Sequence, residues 1–207
     1  MLPDGSLPPA YLDELERFLR GYKNESSDPG AGTIVSYDPL VRLEPGLSST
    51  ELKRAEVAFG CSFPQDFRSL ISRMCFTGEP WEGWREPELM RIRALNWVVG
   101  AAKFDIENNR YWHKDWGRKP RAKVEAIAVA EAYLRNAPPL LPLLGHRFLP
   151  AVPHESGNPV ISMYQFVDSI YYGNDLADYF HQELGTPRPE WARDNPREVL
   201  FWSSFLI

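Results

Sequence analysis

Cysteine is scarce: Cys61 and Cys75, 14 positions apart, are the only two in 207 residues. No Cys-x-x-Cys pair or histidine-rich partner accompanies them. This excludes a disulfide framework and a zinc ribbon, and leaves free thiols in apolar surroundings, as expected in a reducing compartment. Histidine is limited to four residues, with no His-Glu-x-x-His, no Gly-x-Ser-x-Gly and no glycine-rich phosphate loop, so no familiar catalytic motif is present. No run approaches 18 uninterrupted apolar residues, and the first residues carry neither a basic nor an apolar leader region. No membrane segment is expected, and the cytoplasm is the expected compartment. Positive charge is also short: 23 Lys and Arg face 28 Asp and Glu, for a net charge of -5. Phosphate contact needs a concentrated basic footprint, so nucleic acid is not an expected partner. The densest basic run, residues 118–123, reads as a solvated turn leading into a helix.

What is present is an ordinary globular composition, 43% hydrophobic and 25% charged, with aromatics at 13% including seven Trp. Helical spacing of Tyr11, Leu12, Leu15, Phe18, Leu19 and Tyr22 predicts an amphipathic helix over 9–22, with Ser6 as its cap. The polar Gly/Pro-containing residues 24–32 read as a linker, and residues 33–37 (Thr-Ile-Val-Ser-Tyr) as a short strand. The organisation expected is an N-terminal helix and linker, 1–32, followed by one domain, 33–207. Ser48 and Glu51 spell a capping box for a helix through Leu52, Ala55 and Phe59 that Gly60 stops. Pro64 opens a second helix with the stripe Phe67, Leu70, Ile71 and Met74.

Further along, residues 88–99 read as an amphipathic segment, Asn108-Asn109 as a hairpin-type turn, and residues 112–117 as an aromatic, charged loop. Residues 123–135 predict a helix whose small face (Val124, Ile127, Ala128, Ala130, Leu134) lies close to a sheet. The densest packing signal is residues 140–184. It comprises a strand at 140–144, a loop carrying His146, His154 and Glu155, strands at 159–165 and 167–172, and a helix capped by Asn174 or Asp175. The expected fold class is α+β, a mostly antiparallel sheet with helices packed on one face. The apolar end, residues 198–207, is expected to pack back on the core or to join two copies in a homodimer.

The run Gly46-Leu47-Ser48, Glu51, Glu56, Gly60, Phe63-Pro64, Asp66 and Leu70 resembles the N-terminal signature of the SUKH superfamily, the Smi/Knr cell-wall-regulator-like proteins. Phe104-Asp105, Trp116-Gly117, Pro142, Gly145-His146-Arg147, Pro150, His154-Glu155, Gly157-Asn158-Pro159-Val160, Tyr171-Tyr172-Gly173 and Asp175-Leu176 extend the resemblance over 46–185. Residues 166–170, Phe-Val-Asp-Ser-Ile, depart from the Thr-Asp-Ile order expected there. The resemblance implies a SUKH-like α+β domain without enzymatic activity or cofactor. Its partner would be a protein, and many bacterial members are immunity proteins that bind and neutralise a toxin domain. An acidic chain suits a basic toxin, since complementary charge speeds encounter.

Residue type points to Trp112, Trp116, Tyr164, Asp168, Tyr171 and Asp175 as the contact surface. Two other readings stay open. His146, His154 and Glu155 supply imidazoles and a carboxylate for a metal-dependent or acid/base hydrolase. A scaffold or regulatory protein with a small-ligand pocket under the Trp-rich loops is the other. The mundane roles for the same loop are backbone and carboxylate hydrogen bonds by His146 and Arg147, and a turn shaped by Asn158.

Overall fold

The computed structural model describes residues 1–21, 42–77, 81 and 83–206. The expected linker and the strand at 33–37 lie outside the described residues. Helix α1 (Pro9–Gly21) leads to strand β1 (Arg42–Pro45), then helices α2 (Ser49–Phe59) and α3 (Gln65–Arg73) and strand β2 (Met74–Thr77). The long helix α4 (Pro87–Asn108) and helix α5 (Lys123–Leu134) come next. Strands β3 (Leu140–Pro142), β4 (Arg147–Pro150), β5 (Val160–Ser162) and β6 (Ile170–Gly173) precede helix α6 (Leu176–Leu184). The class is α+β, with two antiparallel sheets: β1 pairs with β2, and β3-β4-β5-β6 form a meander.

Local chemistry explains most boundaries. Ser48 and Glu51 form the reciprocal capping box: the Glu51 amide donates to the Ser48 hydroxyl, and the Ser48 amide donates to the Glu51 carboxylate at 2.8 Å. Gly60 ends α2 at φ 71°, the left-handed conformation that glycine adopts without a Cβ clash. Ser6 is not the cap of α1; its hydroxyl accepts from Gln65. The segment before α1 is held on α3, with Leu7 buried and its amide donating to the Ser69 hydroxyl. Asp13 and Glu16 of α1 both pair with Arg73 at the end of α3. Phe59, Phe63, Phe67 and Trp84 interlock with ring centroids 5.2 to 5.7 Å apart, so the α2–α3 pair is closed by aromatic edges.

Besides the Ser6 cap, five expectations need correction. The strands expected at 159–165 and 167–172 shrink to Val160–Ser162 and Ile170–Gly173, which leaves residues 163–169 as a turn. Met74 belongs to β2, which leaves α3 without a loop, rather than to the α3 stripe. Residues 87–108 are one 22-residue helix, not a segment followed by a hairpin turn. Gly100 sits exposed in mid-helix, where glycine costs about 1 kcal/mol, and Ala94, Val98, Ala101 and Ala102 are buried on the packed face. Helix α5 packs on α4 through Ala126, Ala130 and Leu134, leaving Val124 exposed, and it is α4 that reaches β3. Strand β4 lies inside the stretch expected to be loop, because Gly145 and Pro150 punctuate a strand only four residues long.

Arg147 opens β4 in an unusual setting. Its side chain is 7% exposed and pairs at 3.1 Å with Glu183 of α6, itself 6% exposed. It also donates to the Ser162 hydroxyl at 2.8 Å and lies 3.8 Å from the Tyr172 ring centroid. The chain end folds back on the core: Trp202 and Phe205 are buried, and Trp202 Nε1 donates to Pro138 O at 3.0 Å. Among the described residues no helix is long and apolar enough to cross a membrane.

Candidate functional site

The residues singled out from sequence divide by burial. Trp116 and Asp175 are 5% and 1% exposed, so neither can meet a partner. Trp116 packs under its loop against Tyr111, Phe166 and Phe205. Asp175 caps α6 by accepting from the Asp178 amide and ties down the chain end through the Arg193 amide, both at 2.8 Å. Tyr171 is half-buried, with its hydroxyl 2.6 Å from Ser203 Oγ. Trp112 is half-buried; its Nε1 donates to Gly117 O at 2.7 Å. Asp168 is exposed and accepts from the Gln165 amide, which shapes the turn between β5 and β6. Tyr164 in that turn is 61% exposed.

The His/Glu group does not converge. His146 precedes β4 and packs edge-on against Tyr164 at 5.5 Å, whereas His154 and Glu155 follow β4 at its other end. Glu155 pairs with Arg197 at 3.2 Å. Burial, with the Arg147 charge beside it, lowers the His146 pKa to about 4, although Asp168 opposes this, so the ring is neutral near pH 7. Among the described residues no group of three or more His, Cys, Asp or Glu could hold a metal ion. A cavity of about 50 Å³ lies between α4, α5, β3 and Trp202, away from the Trp-rich loop. It is far smaller than the ~300 Å³ at which ligand pockets begin.

What the structure does assemble is a surface organised by Asp105. This residue is fully buried near the end of α4. Its Oδ2 accepts from the amides of Phe166 and Val167 at 2.7 and 3.0 Å, its Oδ1 accepts from Asn109 Nδ2, and its carbonyl accepts from the Asn109 and Tyr111 amides. Eight residues earlier, Trp97 Nε1 donates to Met163 O at 2.7 Å. Residues 97, 101 and 105 share one helix face, so α4 grips the 163–169 turn at Met163 and again at Phe166-Val167. Held on that frame, Tyr164, Val167 and Phe104 stand 61%, 38% and 46% exposed. Phe104 shares the helical stripe of Trp97 and adjoins Asp105 in the chain.

Asp105, Trp97, Phe104 and Val167 were not among the contact residues expected from sequence, although Phe104-Asp105 belongs to the run that resembles the SUKH superfamily. One signal was there to be read: Asp105 is in phase with the buried positions Ala94, Val98, Ala101 and Ala102. A carboxylate on the apolar side of a helix needs donors from elsewhere in the fold.

A second buried carboxylate sets a pH response. Asp66 opens α3, accepting from the Gly157 amide at 2.7 Å and the Phe67 amide at 2.8 Å. Burial pushes its pKa from 3.8 to about 6; the two amides oppose the rise and the charge of Asp175 adds to it. Because the folded value is raised, the stabilisation is complete below the unfolded value and is lost as pH climbs through about 6. A shift of this size corresponds to about 3 kcal/mol. Urea unfolding of the parent chain and of Asp66→Asn, at pH values on either side of that window, is expected to show this component only in the parent. The same slope in both would reject the assignment.

Comparison with protein-family models, with curated proteins and with solved structures finds no match. The SUKH resemblance therefore rests on the residues quoted from the sequence.

Proposed function

We propose that this chain is a non-enzymatic protein-binding module that uses the 163–169 turn and Phe104 as its contact surface. Following the SUKH resemblance, it acts as an immunity protein that neutralises a cognate toxin domain. The observation that carries the reading is the exposure of Tyr164, Val167 and Phe104 on backbone gripped by Asp105 and Trp97. Apolar and aromatic groups on a pre-ordered support lose little entropy on binding and form the centres of interfaces. The hydrolase reading has no such support, because β4 keeps His146 apart from His154 and Glu155.

The test is co-expression with toxin domains encoded beside the gene, followed by calorimetry on the purified pair. Tyr164→Ala combined with Val167→Asp is expected to weaken binding by about 30-fold or more, the scale of a central aromatic contact. Stability should stay within about 0.5 kcal/mol, as expected for exposed positions. Unchanged affinity in this variant would reject the surface, and turnover of a substrate by the chain alone would reject the non-enzymatic reading.

A further inference from the structure

We infer that the partner presents an acidic protein segment to this surface, which locally reverses the charge complementarity suggested by the chain's overall balance. The inference rests on the contact surface proposed above and adds the chemistry of what docks there. Residues 110–123 contain six of the 23 Lys and Arg but one of the 28 Asp and Glu, leaving 17 basic and 27 acidic residues elsewhere. The loop is thus net +5 and the remainder net -10.

This loop borders the gripped turn. It starts where α4 ends at the Asp105 network, and Tyr111 and Trp116 pack on Phe166 with ring centroids 6.0 and 6.2 Å apart. Its frame is fixed internally by Trp112 Nε1 on Gly117 O, by the Asp115 amide on His113 Nδ1, and by the contact of His113 Nε2 with Ser204 O at 2.9 Å. The last two contacts fit the imidazole tautomer with the proton on Nε2.

Two of the six cations serve the frame itself. Lys119 Nζ donates to the carbonyls of Arg110 and Tyr111, and Lys123 Nζ to that of Glu107, which satisfies oxygens at the end of α4. Arg110, Lys114, Arg118 and Arg121 remain exposed, with no ion pair among the described residues. Asp115, the one acid of the loop, lies 3.7 Å from His113 instead. Arg110 holds φ 57°, a left-handed conformation disfavoured for a side chain of its kind, and Lys119 secures its carbonyl.

Four uncompensated cations on a loop that packs on Phe166, in the same turn as exposed Tyr164 and Val167, match a short run of Asp or Glu that carries an apolar residue alongside. A nucleic acid fits less well. Its charge continues past the patch, where the net -10 remainder repels it, and it brings no apolar side chain for Tyr164 and Val167.

The probe is a fluorescent peptide of Glu residues ending in Phe-Leu, titrated by anisotropy against the full chain. An oligothymidylate of equal charge serves as comparison. The peptide should bind more tightly than the oligonucleotide and weaken as salt rises from about 50 to about 200 mM. Arg110→Ala/Lys114→Ala/Arg118→Ala/Arg121→Ala should lose about tenfold or more in affinity. Arg118→Ala/Arg121→Ala, which leaves the Arg110 backbone untouched, should lose part of it with an unchanged melting temperature. No peptide binding, tighter oligonucleotide binding, or indifference to these substitutions would overturn the inference. Sensitivity to the cations without sensitivity to Tyr164→Ala would keep the acidic-segment inference and remove the apolar contact surface, and the converse would do the opposite.

Discussion

Replacing Asp105 with alanine is expected to lower the melting temperature by about 10 °C, the largest effect of any exchange near the contact surface. The carboxylate takes two backbone amides, those of Phe166 and Val167, and the Asn109 side chain, all at a fully buried position. Alanine leaves these donors without an acceptor, at about 1–3 kcal/mol each. Three such losses sum to about 3–9 kcal/mol, and because Asn109 is exposed and can turn to water, the lower part of that range, about 3–5 kcal/mol, corresponds to that shift for a chain of this size. Asparagine should be only partly better, because its amide group turns a donor toward one side of a donor-lined site. Differential scanning calorimetry gives the global loss. Hydrogen exchange at Phe166 and Val167 tests the mechanism, since those two amides should lose protection first. A melting temperature within about 2 °C of the parent would show that the 163–169 turn is held by other means.

Glu183→Ala is expected to cost about 3–5 kcal/mol, because it leaves the Arg147 guanidinium buried without its carboxylate. Neither the Ser162 hydroxyl nor the Tyr172 ring, which also hold Arg147, replaces the Glu183 carboxylate. The double exchange Arg147→Met/Glu183→Leu should recover much of the loss. Swapping a buried pair for apolar groups of similar volume removes both desolvation costs together with the attraction. Chemical denaturation of the two single variants and the double variant, read as a cycle, separates the pair term from the cavity terms. If the double variant were as unstable as the two single losses added together, the pair would contribute nothing as a pair. The same Arg147 charge helps keep His146 neutral, so Arg147→Met should also raise the His146 pKa above about 4, measurable by NMR titration.

Elements whose signals lie within a few residues were legible. The capping box at Ser48, the stop at Gly60, the start after Pro64, helix α5 and the cap at Asp175 all depend on neighbouring side chains and amides. The α+β class was legible for the same reason, because alternation and helical spacing survive in single segments. Misreadings arose where a distant partner decided the outcome. Asn108-Asn109 has hairpin-turn chemistry, yet the Asp105 carbonyl and carboxylate take up Asn109 as the C-cap, so α4 runs on to Asn108. Strand β4 is too short to announce itself and exists because β3 and β5 pair with it on both sides. Trp116 and Asp175 have the residue types of contact groups, but tertiary packing buried both, Trp116 under Phe166 and Asp175 under the chain end that its carboxylate holds through the Arg193 amide.

The amino-acid order alone set both ends of α2, the start of α3, the cap of α6, the fold class and the clustering of six cations between Arg110 and Lys123, since caps, periodicity and local charge require no distant contact. Only the tertiary structure decided which side chains meet solvent. It set the 163–169 turn on Asp105, separated His146 from His154 by a strand, and packed the basic loop on Phe166 of that turn. Burial is a property of what packs on a residue from far along the chain, and no window of neighbouring residues contains it.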